Sequence, residues 1–163
     1  MYSTKSSPIP ALLPRSAPLR LAAWITLWMA IVMPVLSAGP LQAADDLSVR
    51  QAFEMAGKGE ITLIDIRSRG EWRQSGVAPV ARPISMHEDG FFQKLDEAVG
   101  GDHKAPIALI CASGGRSTMM QAQLIARGYT NVRNVPAGMT GGPNDPNGPG
   151  WIASGLPVAP FSQ

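Results

Sequence analysis

The sequence predicts an α/β domain with a central, mostly parallel sheet, and three observations carry this reading. Helix and strand signals alternate along residues 48–156. The two strongest strand runs, ITLIDI (61–66) and IALIC (107–111), are apolar on both alternate sets of positions, which suits strands covered on both faces. Helical segments between strands favour crossovers into a parallel sheet over hairpins.

The length of 163 residues supports one domain plus an appendage. A hydrophobic fraction of 45% is ordinary for a globular core. The formal charge of +2 is too small to indicate a nucleic-acid partner. Cys111 is the one cysteine, so an internal disulfide and a multi-thiolate zinc or iron–sulfur site are excluded.

The appendage is residues 1–44. Lys5, Arg15 and Arg20 precede an uncharged run, Leu21–Ala44, broken by Pro34, Gly39 and Pro40. Basic, apolar and small-residue regions in that order predict a secretory signal. An uncleaved anchor is the alternative, and only then is a membrane a partner. Either way the positive flank stays inside, and residues 45–163 are expected outside the cytoplasm, in the periplasm. All 12 Asp and Glu lie beyond residue 44, against 11 of the 14 Lys and Arg, so the exported part carries a formal −1.

The elements follow in order. Ser48 and Gln51 form a capping-box pattern that opens a helix with Phe53 and Met55 among its apolar positions, ended by Gly57 and Gly59. The strand 61–66 comes next. Ser68 and Glu71 repeat the capping pattern and open a short helix with Trp72, which Gly76 and Pro79 terminate. Residues 83–86 predict a second, short strand. Phe91, Phe92, Leu95 and Val99 predict an amphipathic helix over 90–99, stopped by Gly100 and Gly101. The third strand is 107–111. A helix over Ser117–Arg127 places Met120, Leu124 and Arg127 on neighbouring turns, with Gly128 as its C-cap. Residues 131–135 predict a fourth strand. Residues 141–150, GGPNDPNGPG, form a loop, and Trp151, Ile152 and Leu156 suggest one last helical turn.

Cys111 stands at the carboxyl end of a predicted buried strand, before a Gly-rich loop and a helix start. Open parallel sheets bind ligands at that end. Gly114 and Gly115 let backbone N–H groups turn inward as a nest, the helix N-terminus adds partial positive charge, and Arg116 adds a full one. All three favour a thiolate, so the Cys111 pKa is expected to be depressed. The plain alternative is a buried, inert cysteine.

The segment CASGGRS resembles the active-site loop of the rhodanese family: Cys, four residues, Arg, then Ser or Thr. Asp65-Ile-Arg67, followed by Glu71 and Trp72, resembles that family's N-terminal signature. Gly128–Val132 and Gly155–Val158 resemble its C-terminal half. The matches span Ser48 to Val158. The resemblance implies a rhodanese-like domain with about four to five strands flanked by helices on both faces. It implies a sulfurtransferase that needs no cofactor, in which Cys111 takes sulfane sulfur from thiosulfate or a persulfide and passes it to a thiol or cyanide.

On that reading Ala112, Ser113, Gly114 and Gly115 supply backbone donors, and Arg116 orients the loop and binds a small anionic donor. Ser117 or Thr118 caps the helix or contacts the sulfur. Asp65 supports the loop, and Arg67 and Glu71 pair structurally; a plain ion pair between Asp65 and Arg67 is the alternative. Two features depart from the family pattern. Gly76-Val77-Ala78 stands where Gly-His-Ile is usual, and the insertion 141–150 delays Trp151. His87 and His103 have no metal-ligand spacing and are expected on the surface.

Three alternatives differ in class. A rhodanese-like binding module would need no nucleophile. A dedicated relay would discharge Cys111 to one thiol-bearing protein. A phosphatase or arsenate reductase of the related fold would need five residues between Cys and Arg, whereas four intervene here.

Overall fold

The computed structural model describes residues 45–162. The reading of residues 1–44 as a leader lies outside the described residues. Eight elements run α1 (Val49–Gly57), β1 (Thr62–Asp65), α2 (Arg69–Ser75), β2 (Ala81–Pro83), α3 (Phe91–Ala98), β3 (Ile107–Ile110), α4 (Gly115–Ala126) and β4 (Val132–Asn134). The strands form one all-parallel sheet in the order β2-β1-β3-β4. No helix among the described residues is long and apolar enough to cross a membrane.

The two-residue period of the strands divides the core. Leu63, Ala108 and Ile110 face α1 and pack with Ala52, Met139 and Trp151. Ile64, Leu109 and Cys111 face the opposite layer, where Leu95 of α3 and Met120 and Leu124 of α4 cover them. The same alternation that buries β3 therefore aims Cys111 at the start of α4.

Both capping boxes form. Gln51 returns to the Ser48 amide at 2.9 Å, and Glu71 returns to the Ser68 amide at 2.9 Å. Two boundaries differ from expectation. The second strand is Ala81–Pro83 rather than 83–86, although the Ile84 and Met86 amides still bond the carbonyls of Asp65 and Ile66. It is an edge strand with exposed Arg82 and Pro83, so it lacks the apolar alternation that strand prediction relies on. Helix α4 starts at Gly115, not Ser117, because Gly114 at φ +87° caps it. Arg116 is thereby fixed in a helical turn instead of a loop.

The two segments that depart from the family pattern are each closed by backbone hydrogen bonds. At Gly76, a Cβ would lie 2.7 Å from the Ala159 carbonyl, where Val77 bridges Ala159. Only glycine lets the C-terminal tail close there. The insertion 141–150 is pinched shut at its base: the Gly150 amide bonds the Gly141 carbonyl at 2.9 Å, and a Cβ on either glycine meets backbone at 2.4 Å or less. Trp151 then enters the core fully buried, edge-on to Phe53. Residues 151–155 turn without forming a regular helix.

Candidate active site

The loop 111–116 leaves the end of β3 and is pinned from behind by the segment that follows β4. The Met139 amide bonds the Cys111 carbonyl at 2.8 Å, and the Thr140 amide and hydroxyl bond the Ala112 carbonyl at 2.9 and 3.1 Å. Gly138 (φ +64°) and Gly114 permit this approach. A Cβ on Gly138 would stand 2.3 Å from the Ala112 carbonyl, and one on Gly114 2.1 Å from that of Pro136.

Pinned in this way, the loop turns its amides inward. Cys111 is nearly fully buried, and its sulfur meets the backbone N–H groups of Ser113, Gly114 and Ser117. The Ser117 hydroxyl lies 3.4 Å from Sγ and 2.9 Å from the Gly114 carbonyl. Burial pushes the Cys111 thiol up, but the Ser117 hydroxyl and these three amides outweigh it, and the net shift is downward. The depressed pKa expected from the sequence is therefore present, through hydrogen bonds above all. The Gly114 carbonyl also accepts from the Thr118 amide and hydroxyl, so it stays satisfied when Ser117 turns its single proton to a thiolate.

Arg67 does not pair as the resemblance implied. Arg116 forks onto Glu71, Nη2 to Oε1 at 2.5 Å and Nη1 to Oε2 at 2.9 Å. Arg67 instead holds Asp65, with Nη2 to Oδ2 at 2.7 Å, and reaches the Ser75 hydroxyl and the Gly76 carbonyl at the end of α2. The expected Arg67–Glu71 pair is therefore corrected to two pairs, Asp65–Arg67 buried below the loop and Glu71–Arg116 at its mouth. The geometry explains the swap: Asp65, the last residue of β1, and Arg67, two residues beyond it, are both buried, whereas Glu71, on the first turn of α2, faces the first turn of α4.

Arg116 holds Glu71 down to about 2, with burial opposing and Ser68 assisting. Glu71 in turn raises the Arg116 pKa; burial opposes, and the nearby Cys111 sulfur adds a smaller push in the same direction.

Sequence reasoning missed four residues at this mouth. A cleft of about 420 Å³ beside the loop is lined by Arg67, Glu71, Gln74, Ser75, Ala112 and Thr140. Gln74 and Ser75 lie three and four residues after Glu71, a spacing that places them on its helix face. Thr140 and His87 left no such signal. His87 stands on the exposed loop before α3 with Nε2 3.2 Å from Arg116 Nη1. A guanidinium only donates, so this contact requires an unprotonated Nε2. His103 lies elsewhere, stacked on Tyr129. Among the described residues, no group of three or more His, Cys, Asp or Glu is placed to hold a metal ion.

The fold and site together define a parallel α/β sheet with one buried cysteine in a pinned, amide-lined loop at its carboxyl edge. The profile of the Rhodanese-like domain matches residues 48–142, and the chain belongs to that family. The chain is 29% identical to an uncharacterized protein of Rickettsia rickettsii over 105 residues, which cover 58% of this chain and 80% of the relative. The crystal structure of Rv0390 from M. tuberculosis is similar at 26% identity and a TM-score of 0.59, covering 74% of this chain and 100% of that one. The solution structure of a polysulfide-sulfur transferase homodimer from Wolinella succinogenes shares the fold at 22% identity and a TM-score of 0.56, covering 74% and 81%.

Proposed function

We propose that this chain is an exported sulfurtransferase that carries sulfane sulfur as a persulfide on Cys111. The observation that carries the reading is the convergence of three amides and the Ser117 hydroxyl on one buried sulfur. Such a cradle stabilises a thiolate before transfer and an anionic persulfide after it.

In the first half-reaction the Cys111 thiolate attacks the outer sulfur of a donor, thiosulfate or a persulfide. An S–S bond forms at Sγ, and the donor's own S–S bond breaks with its electron pair leaving on sulfite or a thiolate. In the second, a thiol or cyanide attacks the outer sulfur and Cys111 leaves as thiolate. Each step is a displacement at sulfur, and no external oxidant is needed. Four residues between Cys111 and Arg116 make a cradle suited to a single sulfur rather than a tetrahedral oxyanion, which disfavours phosphatase chemistry. Export rests on the charge and hydropathy order of residues 1–44. In an oxidising compartment a thiol-bearing protein that discharges Cys111 would protect it.

The test is intact mass spectrometry after incubation with thiosulfate or a persulfide. Gain of one sulfur in wild type, absent in Cys111→Ser and reversed by cyanide, is the expected result. No gain from either donor would overturn the reading.

A further inference from the structure

We propose that Asn134 and Thr118 are positioning residues for Cys111: together they fill the Gly114 carbonyl and steer the Ser117 proton onto the sulfur. This rests on the sulfurtransferase reading above and assigns what prepares its nucleophile.

The Gly114 carbonyl has two lone pairs. Three donors stand within bonding distance of it: the Thr118 amide at 2.9 Å, the Thr118 hydroxyl at 3.0 Å and the Ser117 hydroxyl at 2.9 Å. One donor is in excess. The Thr118 amide is fixed in place, because it makes the first helical bond of α4. The contest is therefore between two hydroxyls, each with one proton that can rotate. Ser117 has a second acceptor in the Cys111 sulfur, 3.4 Å away. Its hydroxyl is the largest of the hydrogen bonds that hold the Cys111 thiol down.

Asn134, at the end of β4, decides the contest. Its Nδ2 donates to Thr118 Oγ1 at 3.0 Å. That donation occupies an acceptor site on Thr118 and turns the Thr118 proton to Gly114. With both lone pairs of Gly114 taken, the Ser117 proton is left to the sulfur. The opposite amide orientation would draw the Thr118 proton onto Oδ1 and return Ser117 to the carbonyl.

Asn134 is an expensive residue for this place. It is 1% exposed, and its Oδ1 is buried without a hydrogen-bond partner. An apolar side chain of similar shape would avoid that cost. The one bond its side chain makes is the one to Thr118. The position thus carries a destabilising atom in order to hold one donor, which fits a residue kept for the site rather than for the core.

The charged groups around the sulfur are left alone by this chain of contacts. On α4, Arg116 lies close enough for the sulfur to raise its pKa, and Glu71 of α2 and His87 bond its guanidinium. From α3 and β1, apolar Leu95, Ile64 and Ile66 complete the layer in which Cys111 packs.

The experiment measures the pH midpoint of iodoacetamide alkylation of Cys111 in the full chain. Thr118→Val removes the hydroxyl at an exposed helix position and keeps the shape. Asn134→Leu and the smaller Asn134→Ala remove the donor and the orphaned oxygen together. Each should move the midpoint upward and slow alkylation at neutral pH about three- to ten-fold, the worth of one neutral hydrogen bond. Thr118→Ser, which keeps the hydroxyl, should restore the wild-type midpoint. In a Ser117→Ala background, Thr118→Val should have no further effect, because Thr118 acts through Ser117. An unmoved midpoint in Thr118→Val or in the Asn134 variants would overturn the proposal. So would a downward shift, or a Thr118→Val shift of the same size without Ser117. Alkylation needs no sulfur donor, so the two readings fail separately. Shifted midpoints in a chain that no donor loads would remove the sulfurtransferase and leave the steering in place.

Discussion

Glu71 and Arg116 stand 45 residues apart in sequence and meet through two hydrogen bonds, at 2.5 and 2.9 Å. Glu71 Oε2 also accepts the Ser68 amide, so one carboxylate closes the cap of α2 and fixes the first turn of α4. Arg116 is the main reason the Glu71 carboxyl is held at about 2, below its ordinary 4.5. The folded value lies below the unfolded one. The stability it contributes is therefore complete above pH 4.5 and is lost as pH falls toward 2. Urea midpoints of wild type should decline more steeply across that window than those of Glu71→Gln. Parallel declines would show that the pair does not contribute.

Ser117 should set the reactivity of Cys111. Its hydroxyl is 3.4 Å from Sγ and is the largest of the hydrogen bonds that lower the thiol pKa. Ser117→Ala should move the midpoint of iodoacetamide alkylation upward. A hydrogen bond to a charged group is worth about 1.5–3 kcal/mol, so alkylation at neutral pH should slow by about ten-fold or more. An unmoved midpoint would assign the thiolate to the backbone amides alone.

Gly138 and Gly114 should tolerate no side chain. Each has positive φ, and a Cβ would approach a carbonyl to 2.3 or 2.1 Å. Gly138→Ala is expected to cost upwards of about 2 kcal/mol in urea unfolding, strain and clash together, and to slow sulfur loading. Gly57, where a Cβ meets nothing within 4 Å, is the control, and Gly57→Ala should be near neutral.

The Asp65–Arg67 pair is buried on both sides, with exposures of 0 and 1%. Arg67→Met strands Asp65 without its partner and should cost about 3–5 kcal/mol. Asp65→Asn combined with Arg67→Met should cost clearly less than the single changes added together. A double-mutant cycle by urea unfolding measures this, and additive costs would mean that the two side chains are not coupled.

The insertion should be dispensable for folding. Its base is closed by the Gly150 amide on the Gly141 carbonyl, and Trp151 is seated by bonds from its own amide to Gly138 and from its indole to Pro157. Excising residues 143–148 leaves a four-residue turn and should change stability by less than about 1 kcal/mol, since loop-closure entropy varies slowly with length. A blue-shifted Trp emission retained in the shortened chain would agree. A large loss of stability would show that the loop packs as part of the core.

Much of this protein was legible locally. The capping boxes at Ser48 and Ser68, the two-faced apolar runs of β1 and β3, and the position of Cys111 at the end of β3 follow from patterns a few residues long. The four-residue spacing from Cys111 to Arg116 was enough to mark the loop, and Gly114 and Gly115 to mark its nest. The edge strand β2 was misplaced because exposed residues carry no apolar period. Partner choice was legible only as alternatives: the Asp65–Arg67 pair stood beside Arg67–Glu71, and the Glu71–Arg116 pair left no local signal. Which carboxylate takes Arg116 and which takes Arg67 depends on how α2 lies over the ends of β1 and α4. The approach of His87, and the pinning of Ala112 by Thr140, join segments 29 and 28 residues apart. Side-chain charge and backbone hydrogen bonding act through space over a few ångströms. The sequence determines which groups are present and on which faces they emerge. Only the packed structure brings them within that range, and so decides which charges cancel and which sulfur the amides surround.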